Sequence, residues 1–108
     1  MSKRTDQVSE LLRGEINKII IKDFEPPKDT IISVSEVTVS LDLKNATAFL
    51  SVIPNKKIGT SLREIKKFSN HIQKELNKIL FIRKVPKINW DIDDRDLKYK
   101  EIEDALNR

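Results

Sequence analysis

The chain has 108 residues, one domain's worth, with 21 Lys plus Arg against 17 Asp plus Glu for a formal charge of +4. A single domain spanning 1–108 can bury roughly two-thirds of the surface its unfolded form exposes, and the absence of Cys excludes thiol catalysis, zinc-thiolate sites and a disulfide framework. The longest apolar runs, such as Ile19-Ile20-Ile21 and Ile79-Leu80-Phe81-Ile82, fall far short of the roughly 20 residues of a membrane span, and Met1 to Asp6 lead into an amphipathic pattern unlike a signal peptide, so no membrane partner and a cytoplasmic location are expected.

Val8, Leu11, Leu12, Ile16, Ile19 and Ile20 recur at helical spacing and predict a first helix. It starts between Ser2 and Thr5 and ends before Phe24-Glu25-Pro26-Pro27, because a proline disfavours the helical region for its predecessor. In residues 31–40, Ile32, Val34, Val37 and Val39 alternate except for one slip between Val34 and Val37, which predicts a strand with a bulge. A turn at Asp42-Leu43-Lys44-Asn45 and a second strand over Ala46–Ile53, stopped by Pro54, complete an antiparallel hairpin.

Ser61-Leu62-Arg63-Glu64 has the capping-box pattern and predicts a helix start. From there Leu62, Ile65, Phe68, Ile72, Leu76, Ile79 and Leu80 mark a long buried face, interrupted only by Ser69-Asn70, whose side chains compete for backbone hydrogen bonds. After Val85-Pro86, Lys87–Asp93 alternates as a third strand with Ile88, Trp90 and Ile92 inward and Asp91 and Asp93 outward. Leu97, Ile102, Ala105 and Leu106 permit a short C-terminal helix within 95–106.

The surplus charge is concentrated in one block. Residues 56–87 hold ten basic and two acidic side chains, whereas the segments before and after are slightly acidic. Such a block fits a surface that meets a polyanion, and it also fits a lysine-rich solvated face. On the long helix Arg63, Lys67, Asn70, Lys74 and Lys78 share one face, opposite the apolar stripe. Like charges at i,i+4, as in Arg63 with Lys67 and Lys74 with Lys78, cost about 0.2–0.5 kcal/mol per pair. A face shaped by solubility alone would alternate its signs, and this weighs towards phosphate binding.

Little else carries chemistry. His71, the sole histidine, has no nucleophile or orienting carboxylate nearby in sequence and reads as a surface residue. Asp91, Asp93, Asp94 and Asp96 lack the spacing of a calcium loop, and Gly14 and Gly59 are the only glycines, so there is no glycine-rich phosphate loop. Neither an enzyme nor a cofactor or metal is expected. Trp90 reads as core, so aromatics for base stacking are scarce, and structured RNA recognised by shape and backbone fits the chain better than single strands.

The order helix, strand, strand, long helix, strand is that of a type II KH domain, an α+β fold with a three-stranded sheet packed on helices. Two strings carry a closer likeness. Val37-Thr38-Val39-Ser40-Leu41-Asp42-Leu43-Lys44-Asn45-Ala46-Thr47-Ala48-Phe49-Leu50-Ser51 resembles the V-x-V-S-x-D-L-x-x-A-x-V-Y-V-S hairpin of the ribosome-binding factor A family, and Leu80–Asp93 is similar to its L-x-L-R-x-x-P-x-L-x-F-x-x-D. That family divides its long helix at a kink carrying Ala-x-Gly. The aligned Phe68-Ser69-Asn70 replaces both small residues, with Asn70, a residue tolerant of turn conformations, at the glycine position.

The resemblance implies a non-catalytic, monomeric assembly factor. It would bind the free 30S ribosomal subunit and 16S rRNA and assist late 30S maturation, including processing of the 16S rRNA 5′ end. Combined with the charge pattern, it makes Arg63, Lys67, Asn70, Lys74, Lys78, Arg83 and Lys84 the candidate rRNA contacts. Two other readings stay open at this stage: a KH-like regulator of other RNAs, and a protein-interaction domain that docks an acidic partner.

Overall fold

The computed structural model describes residues 3–80 and 84–93, with side chains from Thr5 onward. Helix α1 (Lys3–Asp23) is followed by strands β1 (Ile31–Val39) and β2 (Asn45–Ile53), a single 3-10 turn (Asn55–Lys57), helix α2 (Ile58–Ile79) and strand β3 (Lys87–Ile92). The sheet order is β1-β2-β3, with β1 and β2 antiparallel and β2 and β3 parallel. This is the α+β order expected from the sequence. The segment expected to hold a C-terminal helix, 95–106, lies outside the described residues.

Both helices cover one sheet face. The rows Val34–Leu50–Ile92 and Val37–Ala48–Trp90 run across the three strands on that face, and Leu12 and Ile16 of α1 with Ile65, Ile72 and Leu76 of α2 pack against it with no exposed surface. Alternation does this, because successive strand side chains point to opposite faces. Ser33, Glu36, Thr38, Asn89 and Asp91 accordingly occupy the uncovered face. Leu11, counted with the first helix's apolar face, turns outward instead.

The slip in β1 is a bulge between Val34 and Glu36, as the broken alternation predicts. Its extra residue, Ser35, donates its hydroxyl to Asp93 Oδ2 at 2.6 Å. The Asp93 amide donates to the Leu50 carbonyl at 2.8 Å. This corrects the outward placement of Asp93. β3 ends at Ile92, alternation ends with it, and Asp93 turns inward to the bulge with only 8% of its surface exposed.

Each edge of the sheet is held by one amide side chain. Asn17 of α1 donates to the Val34 carbonyl at 3.0 Å and accepts from the Val34 amide at 2.8 Å. Gln73 of α2 donates to the Pro86 carbonyl at 3.1 Å and accepts from the Ile88 amide at 3.0 Å. Part-buried backbone groups on edge strands must be paired somewhere, and a carboxamide offers a donor and an acceptor together.

The start of α2 differs from expectation. The helix begins at Ile58, its N-cap residue Lys57 makes no side-chain cap, and Ser61 lies inside the helix. The 3-10 turn, closed by Lys57 N–H to the Pro54 carbonyl at 3.0 Å, runs directly into the helix a turn early. Ser61 is thereby rotated into the core with no exposed surface, its hydroxyl without a hydrogen-bond partner among the described residues. Glu64 instead lies 3.6 Å from Lys67.

No break divides α2 at Phe68-Ser69-Asn70, the residues aligned with the family's kink: it is one helix from Ile58 to Ile79. Ile65, Ile72 and Leu76 keep a single buried stripe on both sides of these residues. Ser69 does not disturb the helix, because its hydroxyl accepts the Trp90 indole N–H at 2.9 Å. The half-buried Trp90 is thus turned toward α2.

Two substitutions check this packing in urea or thermal unfolding. Ser61→Ala is expected to stabilise the chain by about 1 kcal/mol by removing an unpaired buried hydroxyl, where loss of a true cap would cost about 0.5–2 kcal/mol. Asn17→Leu is expected to cost about 1–3 kcal/mol, because it leaves both Val34 backbone groups without partners.

Candidate nucleic-acid interface

Burial of Ile65, Ile72 and Leu76 sets the rotation of α2 and sends Arg63, Lys66, Lys67, Asn70, Lys74 and Lys78 to the exposed side. The periodicity had placed Arg63, Lys67, Asn70, Lys74 and Lys78 on one face, and they are together. Lys67 and Lys78 each lie 3.6 Å from an acid one turn earlier, Glu64 and Glu75. These pairs are long and solvent-exposed, so they hold the ammonium groups weakly and leave them available to another anion. Arg63, Lys66 and Lys74 make no ion pair with any described residue. Lys84 is exposed, and Arg83 lies outside the described residues.

Beside this face an open groove of about 570 Å³ is lined by Lys44, Asn45, Gln73, Asn77, Lys84, Val85 and Lys87. Three elements contribute: the β1–β2 turn, the C-terminal half of α2 and the approach to β3. The parallel register pairs Asn45 with Lys87, and the Lys87 amide donates to the Lys44 carbonyl at 2.9 Å. Two lysines 43 residues apart in sequence thus stand side by side. Of the three groove lysines, only Lys84 belonged to the sequence-predicted set. The outward position of Lys87 was visible in the β3 alternation, but its neighbour Lys44 depends on a parallel pairing that no local pattern encodes.

The turn that carries Lys44 is tightly built. Ser40 N–H donates to the Asn45 carbonyl and Leu43 N–H to the Ser40 carbonyl, both at 2.9 Å. Leu43 adopts a left-handed φ of 60°. Asp42 Oδ1 accepts from the Ser40 hydroxyl at 2.6 Å and from the Lys44 amide at 3.0 Å. The Ser40 hydroxyl first, and then the Lys44 amide, hold the Asp42 carboxyl below its ordinary value of 3.8.

At the opposite border of the α2 face, His71 Nε2 lies 2.9 Å from Asp23 Oδ2 at the end of α1. The carboxylate missing from the local sequence around His71 therefore comes from 48 residues away. Phe68 packs against the His71 ring at a centroid distance of 4.7 Å and against Phe24 at 5.2 Å. Among the described residues no group of three His, Cys, Asp or Glu side chains could hold a metal ion. The chemistry this surface offers is ammonium and guanidinium groups for phosphates, with amide side chains at the groove.

Comparison with known proteins places the fold. Residues 4–106 match the family described as Ribosome-binding factor A. A protein of that name from Akkermansia muciniphila is 36% identical over 94 residues, covering 87% of this chain and 74% of the relative. The crystal structure of ribosome-binding factor A from Thermus thermophilus superposes with a TM-score of 0.70 at 14% identity, over 82% of this chain and 94% of that one. A homology model of the Thermus thermophilus factor, fitted into the cryo-EM map of its complex with 30S, gives a TM-score of 0.66 at 15% identity, over 80% of this chain and 91% of that one. At these identities the two structures speak for the fold.

A carboxyl made more acidic by folding binds its proton less readily in the native state than in the unfolded one. Its contribution is present above the unfolded value near 3.8 and is lost as pH falls through the lower folded value. Asp42→Asn is therefore expected to lower Tm at neutral pH. Its Tm should converge on that of the unsubstituted chain as the pH is taken below about 4, while parallel curves would show that the carboxylate does not hold the turn.

Proposed function

The chain belongs to the ribosome-binding factor A family, and on that footing we propose that it binds the free 30S subunit through 16S rRNA and assists late 30S maturation, including processing of the 16S rRNA 5′ end. One observation carries the molecular part of this reading: the lysine-lined groove lies beside the basic face of α2, so that positive charge from three stretches of the chain meets on one side of the fold. The related factor fitted into a 30S complex supports the choice of partner.

The action is by binding, with no catalysis by the chain itself. Each lysine or arginine that neutralises a phosphate releases condensed counterions, which supplies affinity with little sequence information. Arg63, Lys67, Lys74 and Lys78 form a row along α2, with Asn70 among them as a hydrogen-bonding group. Lys84 joins Lys44 and Lys87 in the groove, and Arg83 precedes it in the chain. Such a surface suits a folded rRNA element, whose phosphates have fixed spacing and whose shape is read across the backbone. The factor acts as a monomer in the cytoplasm, where its ribosomal partner is assembled.

The test is charge reversal. A Lys67→Glu, Lys74→Glu, Lys78→Glu chain is expected to lose co-sedimentation with free 30S subunits while keeping its unfolding midpoint close to that of the unsubstituted chain. For each phosphate contact removed, the slope of log affinity against log salt should flatten by about 0.7–0.9. Unchanged 30S binding and an unchanged slope would exclude this face. Competition by bulk RNA as effective as by 30S subunits would instead favour a regulator of other RNAs, and binding that survives nuclease treatment would favour a protein partner.

A further inference from the structure

We propose that the outer face of the His71 ring is a stacking platform for one unpaired base of the bound RNA. The proposal rests on the RNA-binding reading above and adds what that surface recognises besides phosphate. His71 stands on the exposed side of α2, four residues after Lys67 and three before Lys74, so the ring borders the lysine row. At 1.5 Å rise per residue, the two lysines bracket it over about 10 Å of helix axis.

Unlike a free surface histidine, this ring is held on two sides. Its Nε2 edge is 2.9 Å from Asp23 Oδ2, and one of its faces lies over Phe68 at a centroid distance of 4.7 Å and an interplanar angle of 31°. Phe68 is backed in turn by Phe24 at 5.2 Å. Even so, 43% of the His71 side chain remains exposed. A torsionally free imidazole would lose rotamer freedom on stacking, whereas this one is ordered before any ligand arrives.

The chemistry of the ligand follows. The flanking ammonium groups favour a polyanion, and a planar ring backed by Phe68 yet 43% exposed favours a planar π-system, a combination that a nucleotide presents. The base must be unpaired, because bases within a duplex already have both faces stacked on their neighbours. Stacking of this kind tolerates any base, so the platform would distinguish an open rRNA segment from a helix without reading sequence.

The experiment uses the full chain with two RNAs, one a single strand and one a blunt-ended two-strand duplex without a loop, each titrated by fluorescence anisotropy. His71→Ala is expected to weaken single-strand binding about fivefold or more, the low end of measured base–aromatic stacking, with duplex binding and the single-strand salt slope unchanged. His71→Phe, which keeps an aromatic ring and loses the Asp23 bond, should stay within about twofold of the unsubstituted chain. As the chain has one histidine, its imidazole proton signals need no deconvolution, and they should move upfield when the single strand binds.

Single-strand affinity unchanged in His71→Ala, equal losses for strand and duplex, His71→Phe as weak as His71→Ala, or imidazole signals that stay in place at saturation would each overturn the platform. The two readings fail separately. If reversal of Lys67, Lys74 and Lys78 leaves binding intact, the phosphate face is excluded. If that reversal abolishes binding while His71→Ala does nothing, only the platform is excluded.

Discussion

Two of the three strands in this fold are edge strands, and the molecule is organised around closing their edges. An edge strand exposes backbone donors and acceptors in a row, and where a helix packs nearby those groups cannot all turn to water. Asn17 and Gln73 each supply a carboxamide that satisfies one N–H and one C=O of an edge, Asn17 on β1 and Gln73 at the start of β3. Hydrophobic burial is non-directional and tolerates a sliding helix, while a paired amide does not. The clamps therefore convert a greasy contact into a defined docking of each helix against the sheet.

For α2 this docking has a functional consequence. With Gln73 bonded to Pro86 and Ile88, and Ser69 accepting from Trp90, one flank of the helix is fixed against β3. Asp23 meets His71 on the other flank and ties it to α1. The basic residues have one direction left to point. Gln73 also lines the groove, so one side chain both closes the sheet edge and forms the floor beside Lys44, Lys84 and Lys87. The acids are distributed to match: Glu64 and Glu75 lie close enough to blunt the repulsion between successive lysines, at separations too long and exposed to neutralise them.

Features governed by periodicity were readable from the chain itself. The slip between Val34 and Val37 announced the β1 bulge, because side-chain direction in a strand inverts with every residue. The apolar spacings announced both helices and the strand containing Trp90. Local motifs were less dependable. Ser61-Leu62-Arg63-Glu64 has the composition of a cap, yet the preceding 3-10 turn had already started the helix, and tertiary packing of the half-buried Ile58 kept it so. The direction of Asp93 was decided by a serine 58 residues earlier. The groove needed Lys44 and Lys87 to meet through a parallel pairing, and the His71 environment needed Asp23 and Phe24 from the end of α1. The misses at Asp93, the groove and His71 involve partners far apart in sequence, where a one-dimensional pattern holds no information on who meets whom.

The unbroken helix bears on how such a surface can recognise RNA at all. A glycine-rich break between two helices frees backbone N–H groups and lets the main chain approach a phosphate closely. In α2 the residues at the corresponding place, Phe68, Ser69 and Asn70, lie mid-helix, where backbone donors are already committed to carbonyls four residues earlier. Main-chain capture of a phosphate is therefore closed to this segment. In the proposed function recognition therefore rests on side chains, which reach further and carry full charge, in keeping with the density of lysine along the exposed side of α2 and around the adjoining groove. Within the unbroken helix Ser69 serves the core through Trp90 while Asn70 faces solvent.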